Sequence, residues 1–274
     1  MIISNYKVIR AEDADYEAEE IVIPDGVKYI THHIFYNFKN LKKVVMPDSV
    51  TQIGDSAFEG CEFLEEVVFS KYIKLIGKSA FAYCKSLRNI NLSSCGSKDS
   101  KNISIYDNAF KSCSSLEEVI FPQKTMTIGK SAFEKCENLK EVNIPNCIRF
   151  IGKSAFALCE SLEEIEFRSY NTCIIGSIPV NVRIGDYAFA KTAIKRIHMN
   201  LGVNSIKCIS EGMFAHCKSL EEIYIPPTVR SIKKYAFDDC KSLYLVLMSK
   251  YMPKISKHVF DGCDSLERID LYDK

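Results

Sequence analysis

The apolar positions of this chain recur as a block, not as one simple period. The stretch from Ile128 to Pro145 reads IGKSAFEKCENLKEVNIP, with Leu139 followed at offsets of three and five by Val142 and Ile144. The last two alternate with polar residues, the period-2 signature of a strand with one buried face. Glycine follows isoleucine at Gly54, Gly77, Gly129, Gly152 and Gly185, and Pro47, Pro122, Pro145 and Pro226 close strands, so these residues punctuate turns. Between them, KSAFEKCENL spaces alanine, phenylalanine, cysteine and leucine as one or two turns of helix would. Aligned on its phenylalanine, the block recurs at Phe35, Phe58, Phe81, Phe110, Phe133, Phe156, Phe189, Phe214, Phe237 and Phe260, in steps of 23, 23, 29, 23, 23, 33, 25, 23 and 23. Each block exposes more apolar surface than it can bury alone. Stacking in register, which joins Phe, Leu and Ile into ladders, is what must fold the chain.

The consensus V-x-x-I-G-x-x-A-F-x-x-C-x-S-L-E-E-V-x-I-P resembles the BspA-like (treponemal-type) leucine-rich repeats, over residues 19 to 272. That resemblance implies a curved right-handed solenoid with a parallel sheet on one face. It also implies a role in adhesion or recognition, since family members are often surface proteins of anaerobic bacteria or protozoan parasites. The expected fold class is an α/β repeat solenoid of about ten 23-residue units with the parallel sheet on its concave face. Residues 1–18 are expected to form an atypical N-terminal cap in which Tyr6, Val8 and Ile9 cover the first rung. Residues 19–274 are expected to be one continuous domain with insertions near 93–102 and 169–181. After Leu271 no capping segment is read, and an uncovered edge tends to pair. An end-to-end dimer or a frayed C-terminus is the consequence expected.

Bulk composition narrows the partners. Apolar residues make up 47% of the 274 and charged residues 26%, ordinary for a folded, soluble chain. A formal net charge of +1 argues against nucleic acid, which favours a strong basic stripe. Nothing approaches the roughly 20 apolar residues of a membrane span. The N-terminus lacks the pattern of a signal peptide, which places the chain in the cytoplasm as the sequence stands, or at the cell surface or outside if a leader has been removed.

Eight of the twelve cysteines share one repeat position: Cys61, Cys84, Cys113, Cys136, Cys159, Cys217, Cys240 and Cys263. The first unit has Phe38 there and the Phe189 unit no clear equivalent, so apolar volume is the property selected. A ladder spreads thiols along a line, whereas zinc needs four ligands around a point; no metal site and no cofactor is expected. Disulfides are harder to dismiss, because adjacent rungs about 4.8 Å apart fall within disulfide reach. Structural filling by reduced thiols is the preferred reading. Cys95, Cys147, Cys173 and Cys208 lie off the ladder and are read as unremarkable thiols, Cys95 and Cys173 the most exposed.

Function is sought on the outward positions of the sheet. One outward lane runs Lys43, Glu66, Asn89, Glu118, Glu141, Glu164, Arg196, Glu222, Leu245, Arg268. Its five stacked glutamates make a mild negative stripe that needs salt, lysines or a cationic partner to compensate; the plain alternative is that glutamate only keeps the surface soluble. The second lane runs Val45, Val68, Asn91, Ile120, Asn143, Glu166, His198, Tyr224, Leu247, Asp270. Glu166, His198, Tyr224 and Leu247 are the candidate contact centre, because exposed apolar and aromatic residues mark interaction sites; ordinary cross-strand packing is the alternative. Asn143, Glu141, Glu164 and, in the 169–181 insertion, Tyr170 extend this candidate site. The insertions fit a binding edge, or drift in a tolerant loop. Two sequons, at Asn91 and Asn102, could carry glycans in a secreted eukaryotic protein. Glu166 and His198 could act as an acid–base pair only if enclosed, and an open sheet with no nucleophile elbow, phosphate loop or zinc-helix motif is not a catalyst. The expectation is a non-catalytic scaffold for a protein partner, a host matrix or own-cell protein; a self-assembling array joining through its C-terminal rung is the alternative.

Overall fold

A computed structural model of the chain describes residues 1–95, 102–167, 181–198, 205–251 and 253–272. The units stack as a parallel β-solenoid of about ten turns with almost no helix. Each turn gives one short strand to each of two faces. On one face, a row of two- to four-residue strands runs from Tyr29–Ile30 through Gln52–Ile53, Leu75–Ile76, Ile103–Ile105, Thr125–Ile128, Phe150–Ile151 and Asn181–Ile184 to Ser205–Ile206, all parallel. The other face carries the Leu-x-x-Val-x-Ile strands: Glu20–Val22, Lys43–Val45, Glu66–Val68, Asn89–Asn91, Glu118–Ile120, Glu141–Ile144, Glu164–Phe167, Arg196–His198, Glu222–Ile225, Leu245–Ser249 and Arg268–Tyr272. In every paired register of this face, equivalent repeat positions stand opposite one another. The sequence lanes are therefore physical lanes.

The segment expected as a turn of helix is not helical. In all ten units the residues two before and two after the phenylalanine have positive φ, as at Ser154 (54°) and Leu158 (62°) around Phe156. Left-handed residues on both sides of the phenylalanine stop a helix from propagating. The turn is held from outside instead. The amides of Ser154, Phe156 and Leu158 donate to carbonyls of Asp186, Ala188 and Ala190 in the next unit at 2.8–2.9 Å, and other units repeat this row. The four-residue helix Asp13–Tyr16 is the only helix among the described residues.

The core is a set of ladders. Successive phenylalanine rings stack with centroids 5.0–5.7 Å apart and planes within 19°. Leu and Ile ladders flank them, buried except at the partly covered Ile255 and Leu266. The isoleucine-glycine turns let consecutive rungs approach closely. A Cβ on Gly152 would lie 2.4 Å from the Lys130 amide nitrogen, with backbone and not a movable side chain in the way. Gly152→Ala should therefore cost about 1–3 kcal/mol, the range of over-packing in a dense interior, and a thermal-melt series will check it. An unchanged melting temperature would show that the rungs are looser than described.

The N-terminal segment forms an antiparallel hairpin, Ile2–Ser4 with Lys7–Arg10, whose second strand continues the first sheet face beside Tyr29–Ile30. Val8 is fully buried. Tyr6 does not cover the rung: it is mostly exposed, with Lys28 Nζ 4.7 Å from its ring centre. Tyr16 packs on Phe38 instead (4.4 Å). No helix among the described residues is long and apolar enough to cross a membrane.

The ladder thiols are free, and all but the half-buried Cys263 are buried. Volume is only part of their role. Each donates its S–H to the phenylalanine carbonyl of the preceding unit at 3.1–3.2 Å, from Cys61 to Phe35 O through Cys263 to Phe237 O. The Phe189 unit does have an equivalent: buried Thr192, whose hydroxyl donates to Phe189 O at 2.9 Å and contacts Cys217 Sγ at 3.2 Å. The position asks for a small donor as well as for bulk. Two readings of the off-ladder cysteines are corrected. Cys95 is buried and donates to Ser70 O at 3.2 Å, so it is not exposed. Cys147 is disulfide-bonded and not an ordinary thiol. Cys173 lies outside the described residues.

Candidate interaction face

The outward positions of the Leu-x-x-Val-x-Ile strands form a continuous surface. Glu141 stands opposite Glu164 and Asn143 opposite Glu166. His198 stands opposite Tyr224, and Tyr224 opposite Leu247. The Glu164–Phe167 and Arg196–His198 strands lie side by side, so Glu166, His198, Tyr224 and Leu247 occupy consecutive strands of one face. Tyr170 lies outside the described residues, as do 96–101 and 168–180, which carry most of both insertions.

Tyr224 is not a free aromatic anchor. Its ring stacks on that of Tyr272 from the outermost strand, 5.1 Å between centres and 19° between planes, and the Tyr272 hydroxyl donates to Ile225 O at 3.0 Å. Burial, with the Tyr224 contact added, pushes the Tyr272 phenol upward. Leu245, counted among the outward positions, is only 9% exposed.

Charge on this face is more ordered than a single stripe. Immediately before the glutamate lane runs a second lane whose sign alternates from unit to unit: Glu19, Lys42, Glu65, Arg88, Glu117, Lys140, Glu163, Lys195, Glu221. Lys42 meets Glu19 at 2.9 Å, Lys140 meets Glu117 at 3.7 Å and Lys195 meets Glu163 at 3.1 Å. Such exposed pairs contribute little each, but the alternation sets a basic residue between successive glutamates of this lane. In the glutamate lane, Lys43 lies 3.4 Å from Glu66, and Arg196 lies 3.8 Å from Glu222, which also accepts the Tyr244 hydroxyl. That hydrogen bond pushes the Tyr244 phenol up. The middle three, Glu118, Glu141 and Glu164, are exposed and have no ion pair among the described residues. Like charges stacked in register repel.

A cavity of about 240 Å³ opens beside those glutamates. Glu118, Glu141 and Asn143 line it with Ile120, Phe121 and Pro145. Gln123 and Asn146 complete a mixed lining, and two carboxylates beside an apolar strip suit a long aliphatic side chain that ends in a positive charge. Sequence reading placed the contact centre further along the array, at Glu166, His198, Tyr224 and Leu247; Glu141 and Asn143, which extend that candidate site, line this cavity. The available signal was the glutamate lane itself, where Lys43 stands next to Glu66 and Arg196 next to Glu222 but no basic residue stands among Glu118, Glu141 and Glu164. Among the described residues no group of three His, Cys, Asp or Glu could hold a metal ion.

The sequence matches the family described as BspA type leucine rich repeat region over residues 14–98, 97–178 and 182–274. The chain belongs to this family. Among solved structures, it is similar to a leucine-rich repeat protein from Bacteroides ovatus, 26% identical, covering 92% of this chain and 69% of that one with a TM-score of 0.61. It is also similar to the leucine-rich repeat protein of T. pallidum, 28% identical, covering 64% of this chain and 77% of that one with a TM-score of 0.53. No curated protein sequence matches it. Leucine-rich-repeat proteins serve generally as non-catalytic protein-interaction scaffolds.

Proposed function

We propose that this BspA-type solenoid recognises an extended, basic segment of a protein partner along its Leu-x-x-Val-x-Ile face, centred on Glu118, Glu141 and Glu164. The observation that carries this reading is the coincidence of three stacked glutamates, without ion pairs among the described residues, with a cavity that Glu118 and Glu141 line beside Ile120, Phe121 and Pro145, on a face where charges of the neighbouring lane pair. Such glutamates repel one another until a cation arrives. Glu166, His198, Tyr224 and Leu247 would continue the footprint on the adjoining strands. Adhesion to a matrix protein and recognition of an own-cell protein are both compatible with this chemistry.

The test is fluorescence anisotropy with a labelled peptide of alternating lysine and valine, against a glutamate–valine control. Saturable binding of the lysine peptide should weaken with salt and fall on the order of tenfold or more in the Glu118→Gln, Glu141→Gln, Glu164→Gln triple variant. Equal binding by the variant would remove the proposed centre. The alternative, end-to-end self-assembly, is favoured by Ile269 and Leu271, exposed at 44% and 52% while their counterparts Val246 and Met248 are fully buried. Concentration-dependent mass in sedimentation, with no peptide binding, would favour that reading.

A further inference from the structure

We propose that the other face of the solenoid binds single-stranded nucleic acid, with its most basic part at a cavity that Lys233, Lys234 and Lys257 line. This face is the row of strands that begins at Tyr29–Ile30; Cys208–Ile209, Ser231–Ile232 and Lys254–Ile255 continue it as parallel pairs. The Glu211 amide, donating to Asp186 Oδ1 at 3.2 Å, joins that continuation to the Asn181–Ile184 unit. The net charge of +1 argues against nucleic acid only as an average, because the glutamate lanes offset a face that is strongly basic. The two faces share no residue, so this inference stands apart from the peptide reading.

On this face the carboxylates are engaged and the cations are not. From Tyr29–Ile30 to Lys254–Ile255, the strands with the residue before and the three after each carry four carboxylates, Asp55, Asp107, Asp186 and Glu211. Asp55 and Asp107 accept the amides of Lys78 and Lys130, both at 2.8 Å, as Asp186 accepts that of Glu211. Glu211 itself is held by Lys234 at 3.5 Å and by the Tyr187 hydroxyl at 3.3 Å. The same windows hold a lysine or arginine beside every strand but Gln52–Ile53 and Ile103–Ile105. Lys78, Lys130, Arg149, Arg183, Lys207 and Arg230 are exposed and have no ion pair among the described residues. Like charges gathered on one sheet face repel, and a polyanion that displaces their counterions relieves the repulsion.

Cations alone would accept any polyanion; exposed rings among them favour one that carries bases. Phe150, 41% exposed, follows Arg149 and stands opposite Arg183 in the paired register. Tyr72 is exposed as well, with Lys71 Nζ 5.2 Å from its ring centre. Bases stack on such rings whatever their sequence, while the backbone follows the cations. The cavity, of about 360 Å³, offers a place for a phosphate. Of its lining residues, Lys234 is engaged by Glu211, and His258 by Asp261 at 2.7 Å. Lys233 and Lys257 have no ion pair among the described residues, and Ser256 completes the lining. Two ammonium groups and a hydroxyl are donors suited to phosphate oxygens.

Fluorescence anisotropy with a labelled oligothymidylate, titrated at several sodium chloride concentrations, tests this against an abasic chain of the same phosphate count. Saturable binding of the oligothymidylate is expected, with log K falling linearly in log salt by about 0.7 per phosphate neutralised. The abasic chain should bind about tenfold more weakly, and Phe150→Ala should narrow that gap. The Lys233→Gln, Lys234→Gln, Lys257→Gln triple variant should weaken both chains and make the salt slope shallower by about 2; circular dichroism will confirm folding. The proposal is overturned by no binding at low salt, or by an unchanged slope in the folded triple variant. Equal affinity for the two chains overturns it too, and would make the face a dock for any polyanion, an acidic polysaccharide included. The two chains compared on the wild-type protein decide the question even if a variant misfolds.

Discussion

Phe156→Ala will cost about 3–5 kcal/mol, the range for deleting a buried aromatic side chain, and will split a single unfolding transition in two. The Phe156 ring is fully buried between Phe133 (5.2 Å, 3°) and Phe189 (5.7 Å, 12°). Removing it deletes two stacked contacts, each worth roughly 0.5–1.5 kcal/mol beyond area burial. In a stacked array each unit couples only to its neighbours, so a mid-array cavity weakens the interface through which the halves cooperate. Phe260→Ala supplies the comparison: its ring has one stacked neighbour, at 5.5 Å, and is half-buried. It should cost less than half as much and leave cooperativity intact. Urea denaturation followed by far-ultraviolet circular dichroism measures both. A single transition with equal losses in the two variants would show that stacking does not carry the coupling.

The repeat made much of this legible in advance. Two outward lanes could be named residue by residue because a strand alternates sides with a period of two, and pairing such as Asn143 with Glu166 follows once the units are in register. The turn around each phenylalanine was misread for a physical reason. Phenylalanine and cysteine three apart have the offset of a helical face, and the left-handed residues that forbid the helix are chemically unalike: Ser154, Leu158, Tyr187, Lys191, His216. No residue type announces that conformation, since the hydrogen bonds that hold it come from the next unit. Thr192 went unrecognised because apolar volume was taken as the criterion, whereas its hydroxyl is satisfied inside the core by Phe189 O of its own unit and by Cys217 Sγ. Cys95 was placed in a loop because it follows a strand end at the start of an insertion, yet Ser70 O offers it a buried partner. Partner choice is the least legible of all, because exposed lanes carry no packing constraint. Only where neutralising lysines are missing, at Glu118, Glu141 and Glu164, does the pattern say something about what is to be bound.

Raising the pH from 8 to 10 under reducing conditions will unfold the chain through its buried thiols. Cys61, Cys84, Cys95, Cys113, Cys136, Cys159, Cys217 and Cys240 are free and buried. Burial pushes Cys61 and Cys113 up to about 12, and Cys95 and Cys217 up to about 11. Cys84, Cys136 and Cys159 are raised by burial as well, and Cys240 by its contact with Cys263 and then by burial. In the unfolded chain these thiols ionise near the ordinary value of about 9. Between that value and the folded one the native state holds more protons than the unfolded state, so stability falls as pH rises. The contribution is complete below the unfolded value and is lost on approach to the folded one. Each thiol contributes a loss of about 1.4 kcal/mol between pH 8 and 10, and eight acting together lose about 11. That matches the whole stability of a typical domain, about 5–15 kcal/mol. Urea midpoints measured at half-unit steps should therefore drop steeply above pH 9 and vanish near pH 10. Cys136→Ala with Cys159→Ala should start from lower stability at pH 7 but lose about 2.7 kcal/mol less between pH 8 and 10. Midpoints that stay level through pH 10 would mean that the ladder thiols ionise in the folded chain, and so that water reaches them.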